Sequence, residues 1–304
     1  MSEARDPAVR RPAGDLPGRH TEVLDLSNRT GLRVELVPER CLDLGQVTLH
    51  GVPFGWIGTN GIGPAGAGEM ETALGGLLCT CGFDHIRQPW SGPDGRAYPL
   101  HGNMALRPAK SVTLETGTGL DGAPALIGTA EVLDRSDERA VYRLERRIEM
   151  PLHANRLRLR DRVTLTSEGR AAAIFALYHI NLGSTFVGPG LTVTQGERRR
   201  DDIGALPGAT FVEPLPGESA TISLCRAAAG QTARLTLTQS RDQLPFIQFH
   251  RNPVLRPDLF CIEPVSHDRL PRETLLAGLM PWSGQIQRDF SLDIEFSVTP
   301  DDAE

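Results

Sequence analysis

The feature that most constrains this chain is the alternation of apolar and polar residues over many short segments, with almost no helical periodicity. Phe290, Leu292, Ile294, Phe296 and Val298 alternate with Ser291, Asp293, Glu295 and Ser297. Leu157, Leu159, Val163 and Leu165 alternate with Arg156, Arg158, Arg160, Arg162 and Thr164. Leu32, Val34 and Leu36 do the same against Arg33 and Glu35, and Ala233, Leu235 and Leu237 repeat the pattern. Successive side chains of a strand point to opposite faces, so each segment reads as a half-buried strand. The arginine row reads as a solvated sheet face rather than an anion site. Short strands broken by Gly and Pro predict an all-β fold, a large antiparallel β-sandwich.

The 304 residues are enough to bury a large core. Residues 1–20 are rich in Arg, Pro, Gly and Asp and short of large apolar side chains, which predicts a flexible N-terminal arm. Nothing between residues 21 and 299 resembles a linker or a tandem repeat, so one β-sandwich domain is expected there, with residues 300–304 as a tail. The Gly-rich run over 58–68 lacks the lysine of a phosphate cradle and is read as a flexible loop.

The net charge of −6 and the pI near 5.8 argue against a nucleic-acid surface and against attraction to an anionic membrane. Lys110 is the sole lysine, so Schiff-base chemistry would rest on it alone, and aldolase-like and pyridoxal mechanisms are set aside. The cysteines, Cys41, Cys79, Cys81, Cys225 and Cys261, are odd in number and scattered. With no secretion-signal h-region at the start, they predict a reduced, cytoplasmic setting. Cys79 and Cys81 are spaced C-x-C and read as small apolar residues of a buried strand. No apolar run reaches the length of a membrane span.

Polar residues suited to chemistry fall in four places: His85 with Arg87, His101 with Asn103, His179 with Asn181, and Glu263. The stretch Ala176 to Gly183 reads as a strand with Leu177, His179 and Asn181 on one face and Tyr178, Ile180 and Leu182 on the other. A buried His and Asn would each need a partner. A core histidine held by one hydrogen bond is the plainer reading of His179 taken alone. Glu263 follows the apolar Phe260-Cys261-Ile262 and precedes Pro264. Desolvation there would raise its pKa and make it a better base near neutrality. An ordinary strand-end ion pair with Arg256 or Arg269 stays open.

Taken together, these segments resemble the aldose 1-epimerase (galactose mutarotase-like) family, and within it a poorly characterised bacterial branch. Leu26-Ser27-Asn28-Arg29-Thr30-Gly31-Leu32-Arg33-Val34 resembles the family's first hairpin. Asp84-His85-Ile86-Arg87 stands where the family carries a sugar-binding Asn-Arg, and Leu100-His101-Gly102-Asn103 resembles its Leu-His-Gly. Tyr178-His179-Ile180-Asn181-Leu182 is similar to the strand that holds the catalytic His. Leu244 to His250 resembles the segment before the last motif, and Cys261-Ile262-Glu263-Pro264 the stretch with the catalytic Glu. Leu276 to Gly284 falls at the family's Leu-x-Pro-Gly-Glu turn. The order holds through most of residues 21–299. The chain departs from the pattern at Leu177 and Tyr178, where the family has Asn before the catalytic His, and at His85.

The resemblance implies a galactose mutarotase-like supersandwich and an isomerase that interconverts sugar anomers without a cofactor. His179 would be the acid and Glu263 the base, placed on opposite sides of the ring, with His179 kept protonated by the carboxylate. His101 would orient the substrate or share the proton at the ring oxygen. His85, Arg87, Asn103, Asn181 and Gln248 would bind the sugar, and Trp282 or Trp90 would stack on it. Asp201, Asp202 and Asp242 are candidates for the carboxylate that holds ring hydroxyls. The implied partner is a small carbohydrate, with no nucleic acid or membrane, and the chain a monomer or homodimer. Two other readings compete. One is a non-catalytic carbohydrate-binding protein on the same fold. The other is a metal-dependent sugar isomerase or a dioxygenase, with His85, His101, His179 and Glu263 as ligands.

Overall fold

The computed structural model describes residues 8–13, 21–58, 61–62, 74–93, 95–135, 139–201, 210–215, 217–228 and 230–301. Strands β1 (Ala8–Ala13), β2 (Thr21–Ser27), β3 (Leu32–Val37), β4 (Asp43–Leu49) and β5 (Val52–Pro53) form one antiparallel sheet in that order. β6 (Leu78–Thr80) belongs to a second sheet, and β7 (Trp90–Ser91) with β8 (Ala97–Tyr98) makes a small ribbon. β9 (Lys110–Thr118), β10 (Pro124–Arg135), β11 (Ala140–Pro151) and β12 (Arg156–Arg170) form a long meander. Then come β13 (Tyr178–Leu182), β14 (Thr192–Gln195), β15 (Arg198–Arg200), β16 (Thr210–Pro214), β17 (Ser219–Ala228), β18 (Gln231–Ser240), β19 (Phe246–His250) and β20 (Phe260–Val265). One short helix, α1 (Arg272–Leu276), precedes β21 (Trp282–Pro300).

The large sheet runs β15-β14-β17-β18-β21-β12-β11-β10-β9, and the second five-stranded sheet runs β16-β19-β20-β13-β6. The predicted all-β sandwich is the observed architecture. Alternation has the expected result on β12: Leu157, Leu159, Val163 and Leu165 are buried inside. The arginine row is the outer face, with Arg156 and Arg158 paired to Asp121, Arg160 to Asp293 and Arg162 to Asp289. Inside the stretch predicted as an arm, β1 pairs antiparallel with β2, Ala8 against Leu26. Ladder hydrogen bonds need no apolar side chains, so composition does not reveal this strand.

The second five-stranded sheet separates two apolar layers. Its inner face, with Tyr178, Ile180, Leu182, Ile247, Phe249, Phe260 and Ile262, packs in the main core with Leu144, Ile148, Leu159, Val163 and Ile294 of the large sheet. Each such side chain contributes about 1.5–3 kcal/mol on burial. Its outer face carries Cys79, Leu177, Cys261 and Val265 in a smaller cluster with Trp56, Leu74, Ile86 and Phe175. That smaller layer is where the sequence placed its polar candidates.

Candidate active site

Register brings the site together. Ile180 faces Ile262 between β13 and β20, so one residue along His179 faces Glu263. Gln248 faces Glu263 between β19 and β20, and Cys79 faces His179 from β6. Gln248, Glu263, His179 and Cys79 therefore form one row across four strands, on the outer face. His179 Nε2 lies 3.4 Å from Glu263 Oε1. The two atoms are not hydrogen-bonded to each other; their remaining atoms are held elsewhere. Gln248 Nε2 donates to Glu263 Oε2, and Arg87 Nη1 donates to Gln248 Oε1. Asn181 Nδ2 donates to the Leu74 carbonyl at 2.7 Å, which leaves Asn181 Oδ1 as acceptor for His179 Nδ1 at 2.5 Å. Nδ1 thus carries the proton, and Nε2 of a neutral His179 presents a lone pair beside Glu263.

Burial sets the electrostatics. Glu263 is 1% exposed, and desolvation raises its pKa, against the pull of His101, His250, Arg87 and the Gln248 amide. His179 is 4% exposed, and desolvation lowers it to about 4 despite its bond to Asn181, with His250 and Arg256 adding to the fall. The raised Glu263 is as expected, whereas the expectation that His179 stays protonated beside it is corrected: the cost of burying an imidazolium outweighs its hydrogen bond to Asn181. The expectation of acid and base on opposite sides of a ring is corrected too. Both project from neighbouring strands of one face.

His101 reaches the site from a strained loop. Its ring stands edge-on to His179 with centroids 5.3 Å apart, and its Nδ1 bonds the Ile86 carbonyl at 3.2 Å. His101 sits in the left-handed region at φ 60°, an uncommon conformation for a residue other than Gly, and Gly102 follows at φ 75°. The Gly82 amide donates to the His101 carbonyl at 2.6 Å, and the His101 amide to the Arg87 carbonyl at 2.8 Å. Desolvation, then His179, lowers His101 to about 4.

The other predicted residues divide. Asn181 and Gln248, expected on the sugar, instead orient His179 and Glu263, because the sheet register places each beside the catalytic candidates. Arg87 is held by Gln248 and by the His267 carbonyl at 2.9 Å, and its buried Nε has no acceptor. His85 turns from the row: its Nε2 meets the Gln88 carbonyl at 2.6 Å and its ring lies 5.5 Å from that of Tyr98. Asn103 is half-buried, next to His101, at the start of a 3-10 turn. Trp282 lies on the large sheet, paired with Arg170, and Trp90 packs on Tyr98. Asp201 is at the surface with Arg199, Asp242 is exposed, and Asp202 lies outside the described residues. Sequence reasoning missed His250 and Cys261 as site residues. Their signal was the period of two: His250 follows Gln248, and Cys261 precedes Glu263, on the same face.

A buried carboxyl and a buried histidine thus converge on the outer face of the second five-stranded sheet. The chain matches, over residues 18–206, the family described as "Domain of unknown function (DUF4432)", and it belongs to that family. Among solved structures it is similar to a candidate aldose 1-epimerase from Klebsiella pneumoniae (16% identity, 95% of this chain and 83% of the other, TM-score 0.67). It is similar also to a galactose 1-epimerase from Lactobacillus acidophilus (12%, 96% and 98%, TM-score 0.61). A third is a galactose mutarotase related enzyme from the same organism (11%, 97% and 100%, TM-score 0.59). The fold is the galactose mutarotase-like β-sandwich. A search of curated proteins finds no match. Among the described residues no helix is long and apolar enough to cross a membrane.

Proposed function

We propose that the chain is an aldose 1-epimerase-like isomerase, with His179 as general acid and Glu263 as general base on a small sugar. The observation that carries this reading is the convergence of His179 Nε2 and Glu263 Oε1, 3.4 Å apart and not bonded to each other. The anomeric hydroxyl and the ring oxygen are both attached to the anomeric carbon, so an acid and a base side by side can address them together. Glu263 takes the hydroxyl proton, His179 gives a proton to the ring oxygen, and the bond from the anomeric carbon to the ring oxygen breaks. The aldehyde rotates, and closure reverses both transfers. The step begins with the pair's one shared proton on His179 Nε2, besides the one on Nδ1, and with Glu263 ionised; it ends with that proton on the former ring oxygen and the hydroxyl proton on Glu263. Burial raises Glu263 and lowers His179, so it disfavours the ionised form of each, and the ion pair that begins the step gives up its proton readily to the ring oxygen. His101 stands at the edge of His179, where it can meet the ring oxygen. Arg87 and Asn103 bind hydroxyls at the rim. The five free cysteines fit a reducing, cytoplasmic setting, and residues 21–299 act as one domain.

The test is a polarimetric or NMR screen of anomer exchange across aldoses, including deoxy, acidic and keto sugars. Exchange faster than in buffer, lost in Glu263→Gln, supports the reading. Sugar binding without faster exchange would replace it with a binding protein on the same fold.

A further inference from the structure

One neighbour of the acid–base pair has no part in proton transfer. Cys261 is fully buried on β20, two residues before Glu263 and on the same face. A ring nitrogen of His179, the Cys261 Sγ and a Glu263 oxygen all lie within 4.8 Å of one another. With Nδ1 committed to Asn181, Nε2 is the nitrogen with a lone pair to offer. Its 3.4 Å separation from Glu263 Oε1 matches the edge of a tetrahedral zinc site, ~3.4 Å for bonds of about 2.0–2.2 Å.

The atoms behind these donors are also placed as a metal site requires. Zinc-bound histidines pass their other N–H to an oxygen acceptor, which fixes ring orientation. Asn181 Oδ1 does this for His179, and Gln248 Nε2 holds the second oxygen of Glu263. The Cys261 thiol points at Asn181 Oδ1 from 3.6 Å, beside the histidine it would join. The groups around the trio are Arg87, Arg256, His101 and His250, with Cys79 across from His179. They disfavour a net positive charge, but a divalent ion held by one thiolate and one carboxylate adds none.

We propose that His179, Cys261 and Glu263 form a binding site for a zinc-like divalent cation, with a fourth position open, that closes the acid–base pair. Binding uses the same lone pairs that move protons, so metal and turnover exclude each other. The thiol proton and any proton on Glu263 are released to solvent as the ion binds. The metal site stands without the epimerase reading; the inhibition rests on it.

The test titrates chelator-stripped protein with Co²⁺ as a spectroscopic probe, then displaces it with Zn²⁺. One equivalent should give tetrahedral cobalt absorption with a thiolate-to-cobalt charge-transfer band, bleached by Zn²⁺. Cys261→Ser should lose the charge-transfer band while circular dichroism stays unchanged. His179→Asn should weaken cobalt binding at least tenfold, and Gln248→Met by about 10–100-fold. No band in the wild type, or a band undiminished in Cys261→Ser, overturns the site. If a sugar is turned over, one equivalent of Zn²⁺ should stop exchange and chelator should restore it. Full turnover with zinc bound overturns the inhibition. Should no sugar respond, the cobalt titration still decides the metal site.

Discussion

His179 can act only as Asn181 lets it, because the amide oxygen fixes the Nδ1 proton and aims Nε2 at Glu263. Removing either reactive group should therefore end exchange while the sheet, built from other residues, survives. His179→Ala and Glu263→Gln should each lower kcat/KM by at least ~10²-fold, the scale of general acid–base catalysis, with far-UV circular dichroism unchanged. Wild-type-like exchange in either variant would remove it from the mechanism. The same two groups should act in opposite senses on stability. An unfolded histidine titrates near pH ~6.5, and folded His179 near about 4. Between those values the unfolded chain binds the extra proton, so stability falls as pH drops through that window. Glu263 is raised in the fold, so its contribution is present in acid and is lost as pH rises through its folded value. Denaturant midpoints measured from pH 4 to 8 should show a flatter acid-side fall in His179→Ala and a smaller alkaline-side loss in Glu263→Gln. Parallel curves for both variants and the wild type would show that neither group is perturbed in the fold.

The loop that carries His101 depends on two glycines where backbones meet. A Cβ on Gly102 would stand 2.3 Å from the His85 carbonyl oxygen, and one on Gly82 2.9 Å from the Gly102 Cα. Gly102→Ala should cost about 1–3 kcal/mol and displace His101, lowering turnover as well as stability. Gly95 is the control: its φ is similar, 80°, but a Cβ there would meet nothing within 4 Å. If Gly95→Ala loses as much stability and turnover, backbone strain alone accounts for the effect and the close approach is unimportant. These glycines also show where the sequence was legible. Half-buried strands such as β3 and β12 were plain because one face meets the core and the other meets water. The first half of β21 was not, because residues 283–287 are exposed and are held by pairing with β12. His179 and Glu263 were legible through their order in the chain. Their supports were not, since whether Asn181 touches sugar or histidine depends on where Leu74 and β20 come to lie. Cys261 reads as apolar filler until register sets it beside Glu263.

Across the whole molecule, one buried cation joins three layers. Arg146 on β11 is fully buried and reaches Asp161 on β12 at 2.7 Å, Asp43 on β4 at 2.6 Å and the Thr80 hydroxyl on β6 at 2.7 Å. Tyr178, next to His179, donates to Asp161 at 2.8 Å, so this network underlies the sheet that holds the site. The sequence carries its mark, charges at the inward phase of two apolar strands: Arg146 between Leu144 and Ile148, and Asp161 between Leu159 and Val163. Desolvation makes such a network a modest source of net stability but costly to break, because a lone deletion leaves the remaining charges buried. Arg146→Met should destabilise by about 3–5 kcal/mol, as two carboxylates lose their shared partner, with only Arg40 as another fully buried cation among the described residues. Replacing the ion pair together, Arg146→Met with Asp161→Leu, should recover part of the loss although it removes more polar contacts. Urea unfolding of the single and double variants separates the alternatives. A double variant less stable than Arg146→Met would mean that Asp161 stabilises the fold even without its arginine, and that Tyr178 depends on it for more than one hydrogen bond.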